Sequence, residues 1–250
     1  MSFSSNNRCT IDKLIKYRLP GSPLYLDNLE LDYIPLIPED VTKLYIRGNP
    51  LNTLDGLVWP KNLTILDISQ NQLTSIPNNL PEGLMRLFIG GNKITTLPKL
   101  PESLIEIDCY GNLLTKIPRL PSNLLTFSCY NNQISNIEDE LPSSLSILNI
   151  AGNKIESLKS FPASLVILVA NENRLSSLPL LPYGLEELHV SENLLTDFPQ
   201  VPDGIVLISI KNNQITKIPK KLPSSLRELY YSNNPLSSLP DEIENCEMYN

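Results

Sequence analysis

Residues 84–103 read LMRLFIGGNKITTLPKLPES, residues 104–123 read LIEIDCYGNLLTKIPRLPSN, and residues 124–144 read LLTFSCYNNQISNIEDELPSS. All three follow one frame, L-x-x-L-x-I-x-x-N-x-L-x-x-L-P-x-x-L-P, the third with one residue more. Working outward in both directions, the asparagine of the frame falls at Asn49, Asn71, Asn92, Asn112, Asn132, Asn153, Asn173, Asn193, Asn213 and Asn234, at separations of 20 to 22 residues. A fixed short period marks an array of stacked units, each too small to bury its own apolar face. A degenerate unit precedes them, with Leu24, Leu26 and Leu31 in frame and Leu29 in the asparagine position.

Each position of the frame has a physical role. The L-x-x-L-x-I stretch alternates, so it predicts a short strand with every second side chain inward and one parallel strand per unit. Leucine supplies 45 of the 250 residues, as a core drawn from every unit requires. Asparagine sits where the chain leaves the strand, and its amide carries both donors and an acceptor for turn backbone inside the array. The ten asparagines are therefore assigned a structural role. Leucine cannot bond in that way, so Leu29 is tolerable only in a terminal unit. The second half of the frame, as in Leu97-Pro98-Lys99-Leu100-Pro101, excludes a regular helix. Proline removes a donor and pushes the residue before it away from helical geometry. An extended, polyproline-like back is expected.

Together these features identify the leucine-rich repeat. The short period and the LPxLP tail resemble the repeats of bacterial type III secreted effectors, and similar repeats occur in giant-virus proteins. The resemblance covers roughly residues 21 to 240. It implies an α/β-type leucine-rich-repeat solenoid (a horseshoe) with about eleven parallel strands on the concave face, an extended convex face and one short N-terminal capping helix. Some of the effectors carry a ubiquitin-ligase domain with a cysteine nucleophile after the repeats. Only about ten residues follow Pro240 here, so that activity is not carried over.

Three segments are expected: an N-terminal segment over 1–20, the solenoid over 21–240 and an acidic tail over 241–250. Residues 10–19, TIDKLIKYRL, predict a helix capped by Thr10, with Ile11, Leu14 and Ile15 covering the open edge of the array. The tail is expected to fray, with at most a partial last turn over Leu239.

Composition narrows the function. Net charge is −7 and the isoelectric point is about 4.9, which opposes nucleic-acid backbones and anionic membranes as partners. A nucleic-acid reading through Lys43 and Arg47 meets the same objection. No run of apolar residues is long enough to span a bilayer, and the N-terminus lacks the apolar stretch of a secretion signal. The four cysteines, Cys9, Cys109, Cys129 and Cys246, lack zinc-ligand spacing. Cys109 and Cys129 stand in the inward isoleucine position of adjacent units. A disulfide is conceivable by distance, but space-filling buried thiols in a reducing, cytoplasmic compartment are expected. The single sequon, Asn62-Leu63-Thr64, carries little weight. His189 has no nucleophile and acid partner in the frame, so it is expected to be a solvated side chain. No catalytic, cofactor-binding or metal site is assigned, and a non-enzymatic monomer is expected. An enzyme of unrecognised type remains the alternative reading.

The frame also names the outward residues. The central row runs Tyr25, Tyr45, Asp67, Phe88, Asp108, Ser128, Asn149, Val169, His189, Ser209, Tyr230. Two residues earlier lie Lys43, Ile65, Arg86, Glu106, Thr126, Ile147, Ile167, Glu187, Leu207, Glu228. Two residues later lie Asp27, Arg47, Ser69, Gly90, Tyr110, Tyr130. Lys43, Arg47 and Arg86 make the first third basic beside Tyr45 and Phe88. Tyr110 and Tyr130 continue the aromatic line, and Ile147, Ile167, Val169 and Leu207 are apolar where a merely solvated face would be polar. These eleven residues are the candidate site for a protein partner. That they are ordinary β-formers is the alternative. The resemblance adds a host-directed effector or viral factor, acting in the host cytoplasm, as a further alternative.

Overall fold

The computed structural model describes residues 5–237 and 247–249. The chain divides into two compact units, residues 1–114 and 115–250, and both consist of leucine-rich turns. Unit 1 contains helix α1 (Ser5–Lys16) and strands β1 (Leu24–Tyr25), β2 (Lys43–Tyr45), β3 (Ile65–Asp67), β4 (Arg86–Phe88) and β5 (Glu106–Asp108). Unit 2 contains β6 (Thr126–Ser128), β7 (Ile147–Asn149), β8 (Ile167–Val169), β9 (Glu187–His189), β10 (Leu207–Ser209), β11 (Glu228–Tyr230) and β12 (Glu247–Tyr249). Within each unit consecutive strands pair in parallel, with equivalent frame positions opposite one another: Lys43 faces Ile65, and Ile147 faces Ile167.

Alternation places the core. Leu44, Ile46, Leu66, Ile68, Leu87 and Ile89 are fully buried in unit 1, as are Leu148, Ile150, Leu168, Leu188 and Ile208 in unit 2. The return path from the back is a turn opened by the second proline of the frame. The Leu84 N–H donates to the Pro81 carbonyl, Leu104 to Pro101 and Leu185 to Pro182, at 3.1 to 3.2 Å. Proline fits there because only its carbonyl is used.

The asparagines bond backbone of two successive turns. Asn92 Oδ1 accepts from Leu73 N at 3.0 Å, while its Nδ2 donates to Ile68 O at 3.1 Å and Ile89 O at 2.9 Å. Immediately before each asparagine the backbone is left-handed. Gly91, Gly111 and Gly152 occupy this position, but so do Gln70, Glu172 and Glu192, at φ of 54°, 54° and 57°. A second row of bonds links turns nearer the back. Ser103 Oγ lies 2.6 Å from both Glu82 O and Leu84 O, which share its one proton, and Ser225 Oγ donates to Ile205 O at 2.6 Å.

Two end features differ from the sequence expectation. Helix α1 begins at Ser5 and ends at Lys16, so Thr10 is an interior residue and not the cap. Ile11 is buried, but Leu14 is 41% exposed, so the helix covers the first turn only in part. At the other end, Glu247–Tyr249 is a strand on β11. Leu239, residues 241–246 with Cys246, and the side chain of Cys9 lie outside the described residues.

Candidate functional site

In unit 1 the candidate residues share one face, but most are already engaged. Arg86 Nε pairs with Glu106 Oε2 at 3.0 Å. Arg47 Nε donates to Gln70 Oε1 at 3.1 Å, and Gln70 Nε2 donates to Tyr110 Oη at 3.3 Å. The Tyr110 ring lies flat over Gly90, where a Cβ would come within 2.1 Å of Cδ1. Gly90 is therefore more than a strand end without a side chain: it makes room for the tyrosine. Tyr45 stacks on Tyr25 with centroids 4.9 Å apart and planes 11° from parallel. Burial, and then the neighbouring Tyr25, raise the Tyr45 phenol above its ordinary range. Burial likewise raises the Asp27 carboxyl, against the lowering effect of the Arg47 N–H that it accepts. Lys43 is exposed and Phe88 half-buried. Ile65 is only 9% exposed and has Lys43 and Arg86 opposite it on the two sides, so this outward position joins the covered surface.

In unit 2 Ile147 and Ile167 are directly opposed on β7 and β8, and Val169 faces Asn149 two residues further along, on the same face. All three are half-buried. Leu207 is separated from Ile167 by Glu187, which pairs with both. Tyr130 follows β6, and the turn beside it bonds through Asn131 N to Ala151 O. That puts it four residues along the strand direction from the Ile147 level, about 13 Å away. Unit 2 thus holds a compact Ile147–Ile167–Val169 patch with Leu207 and Tyr130 at its margins.

The rest of the unit 2 face is polar and internally bonded. His189 Nε2 lies 3.3 Å from Glu187 Oε2. Ser191 Oγ and Ser209 Oγ are 2.8 Å apart. Lys211 Nζ sits 4.7 Å from the centroid of Tyr230, and Tyr249 stacks on the other side at 4.5 Å. The Tyr249 hydroxyl donates to Glu247, which pushes its pKa up to about 12. Spacing alone did not disclose this cluster, although Lys211, Tyr230 and Glu228 all stand in outward rows.

Cys109 and Cys129 are fully buried thiols. No group of three or more potential metal ligands occurs among the described residues, and none of their helices is long and apolar enough to cross a membrane. Comparison with known proteins agrees with the turn geometry. The Leucine Rich Repeat family model matches residues 62–82 and 225–246. The solved structure of YopM from Yersinia pestis superposes on the chain with a TM-score of 0.83 at 26% identity, covering 100% of this chain and 77% of that one. This is a leucine-rich-repeat protein.

Its repeats resemble those of bacterial effectors, YopM being described as a leucine-rich effector protein. Rabbit (Oryctolagus cuniculus) fibromodulin is 33% identical over 95 residues, which is 32% of this chain and 63% of fibromodulin. The leucine-rich-repeat protein thus spans less than two thirds of that relative's length. The fold also matches the Drosophila Toll–Spatzle complex, with a TM-score of 0.65 at 23% identity, over 80% of this chain and 33% of that one.

Proposed function

We propose that this leucine-rich-repeat protein is a non-catalytic recognition module that binds a protein partner on its strand face. The observation that carries the proposal is the Ile147–Ile167–Val169 patch: three aliphatic side chains on outward positions of two adjacent strands, only half covered. Apolar residues presented on a rigid, parallel array favour a partner that removes them from water. Tyr130 and Leu207 border that patch. In unit 1 the partner meets Tyr45, Phe88 and Tyr110, with Lys43, Arg47 and Arg86 orienting it. The bonded side chains there present a fixed surface, which lowers the ordering cost of binding. Nucleic acid and membrane are not proposed as partners, and the protein binds as a single copy in the cytoplasm.

The likeness to YopM supports a second reading, in which the partner is a host protein and the module a host-directed effector or viral factor. The Toll–Spatzle structure is a protein complex on the same fold, which is consistent with a protein partner. Proximity labelling in the native cell, followed by titration of the recovered partner, tests the proposal. Ile167→Ser and Tyr130→Ala are expected to fold like the parent and to lose roughly 1–3 kcal/mol of affinity each. Lys99→Ala, on the back, is expected to bind like the parent. Equal affinity for the Ile167→Ser variant and the parent would place the site elsewhere.

A further inference from the structure

A groove of about 470 Å³ opens between α1 and β1, lined by Lys13, Leu14, Tyr17, Arg18, Pro23, Leu24 and Tyr25. It lies at the open edge of the unit 1 sheet. The Leu26 N–H donates to Tyr45 O at 2.7 Å and the Asn28 N–H to Arg47 O at 2.8 Å. Backbone groups of successive residues in a parallel strand point to opposite sides, so those of Tyr25 face away from β2, toward the groove. One turn later Ile46 N donates onward to Asp67 O, and Tyr45 is the residue that turns back to β1. In β1 the corresponding Tyr25 groups meet the groove instead.

The side chains around this edge are apolar and accessible. Leu14 is 41% exposed, Tyr17 73% and Tyr25 57%. One face of Tyr25 is stacked on Tyr45, and the other is turned to the groove. The charge is one-sided. Residues 1–26 hold Arg8, Lys13, Lys16 and Arg18 against Asp12 alone, in a chain of net charge −7. No carboxylate lines the groove. Arg18 is tied to Asp40 and the Ser22 carbonyl at 2.5 and 2.7 Å, which fixes the wall. Lys16 lies over Tyr17 at 5.7 Å from the ring centroid. Within unit 2 the chain itself shows what a sheet edge accepts: Glu247–Tyr249 adds in parallel to β11, and its tyrosine stacks on the tyrosine opposite.

We infer that the α1–β1 groove is a strand-addition site for an acidic, aromatic extended segment of a partner protein. The segment pairs with the outward backbone of β1 and lays an aromatic ring on Tyr25. Its apolar side chains enter the groove against Leu14 and Tyr17, and its carboxylates face Lys13 and Lys16. Main-chain pairing supplies affinity and the alternate side chains supply selectivity. The site shares no residue with the strand-face patch of unit 2.

Fluorescence titration of the full chain with an eight-residue peptide alternating glutamate with valine and tyrosine tests the inference. Saturable binding is expected, with at least a tenfold loss for Tyr25→Ser and for Lys13→Glu. Both positions are exposed, so both variants are expected to fold. The same peptide carrying N-methyl groups on alternate amides, and one with lysine for glutamate, are each expected to bind at least tenfold more weakly. Tyr183→Ala, an exposed unit 2 residue that does not line the groove, is expected to bind like the parent. Equal binding of the methylated peptide would overturn strand addition, and equal binding by the Tyr25→Ser and Lys13→Glu variants would overturn the location. Sedimentation of the parent alone is expected to show no association that depends on Tyr25. Self-association abolished by Tyr25→Ser would make the occupant a second copy and overturn the assignment to a partner.

Discussion

Replacing Asn153 by alanine isolates what one amide contributes to the array. Asn153 Oδ1 accepts from Ile134 N at 3.0 Å, and Nδ2 reaches Cys129 O at 3.1 Å, Ile150 O at 3.0 Å and Ala151 O at 3.1 Å. These bonds are not of equal consequence. Cys129 O also accepts from Asn132 Nδ2, Ile150 O from Asn173 Nδ2, and Ala151 O from Asn131 N. Each carbonyl therefore keeps a donor when Asn153 is truncated. Ile134 N loses its acceptor, inside a turn where Ile134 is fully buried. One orphaned buried amide costs about 1–3 kcal/mol, and that is the expected destabilisation. Asn153→Asp is expected to be worse at neutral pH, because a buried carboxylate would face three carbonyls. Burial raises the folded-state pKa of such a group, so stability is recovered as the pH falls and the aspartic acid is protonated. Urea denaturation followed by circular dichroism gives the first quantity, and hydrogen exchange at the Ile134 amide gives its local counterpart. An alanine variant within 0.5 kcal/mol of the parent, with Ile134 exchanging as slowly as before, would refute the reasoning.

Three further outcomes can be checked. Glu192→Gly is expected to raise the unfolding free energy from urea denaturation by about 0.5–1 kcal/mol, since relief of a left-handed side chain slightly exceeds the entropy cost of glycine; no gain would mean that Glu192 makes a compensating contact. Gly90→Ala is expected to eject the Tyr110 ring and cost roughly 1–3 kcal/mol, seen as displaced Tyr110 ring signals in NMR spectra; unmoved signals would contradict the close approach. Asp40→Asn is expected to lower the thermal midpoint at pH 7. The Arg18 guanidinium beside Asp40 holds its carboxyl below the ordinary range, so this stabilisation is present above that range and is lost as the pH falls through the depressed pKa. The gap to the parent should therefore close in acid, and a gap independent of pH would argue against the ion pair.

The fold was legible because each strand repeats an alternation that only one backbone geometry satisfies, and because proline excludes a helix from the back. The helix was misplaced because Ser5–Cys9 has no apolar periodicity to announce it and Thr10 looks like a cap. The last strand was missed because Glu247–Tyr249 carries none of the frame. On the strand face, the rows could be named from the period alone. How the side chains lie within them could not. Gly90 reads as an ordinary turn residue until Tyr110 is seen lying on it. Tyr130 and Ile147 look adjacent in a repeat count, yet they stand four residues apart along the strand direction. Ile65 is outward by frame but shielded, having a lysine and an arginine as its cross-strand neighbours.

The bonding of the asparagines also bears on how such a chain can change in length. Each amide refers only to its own turn and the one before it, so the molecule carries no landmark that counts turns from an end. Excision of Lys154–Asn173, 20 residues, would join Asn153 to Arg174 and leave the asparagine of one turn where the next expects it. Excision of 19, residues 154–172, would put an extra residue between Asn153 and Leu175 and disturb the register at that one junction, while later turns would keep their bonds to one another. A gene encoding this array can lengthen or shorten by unequal recombination, provided the exchange comprises whole turns.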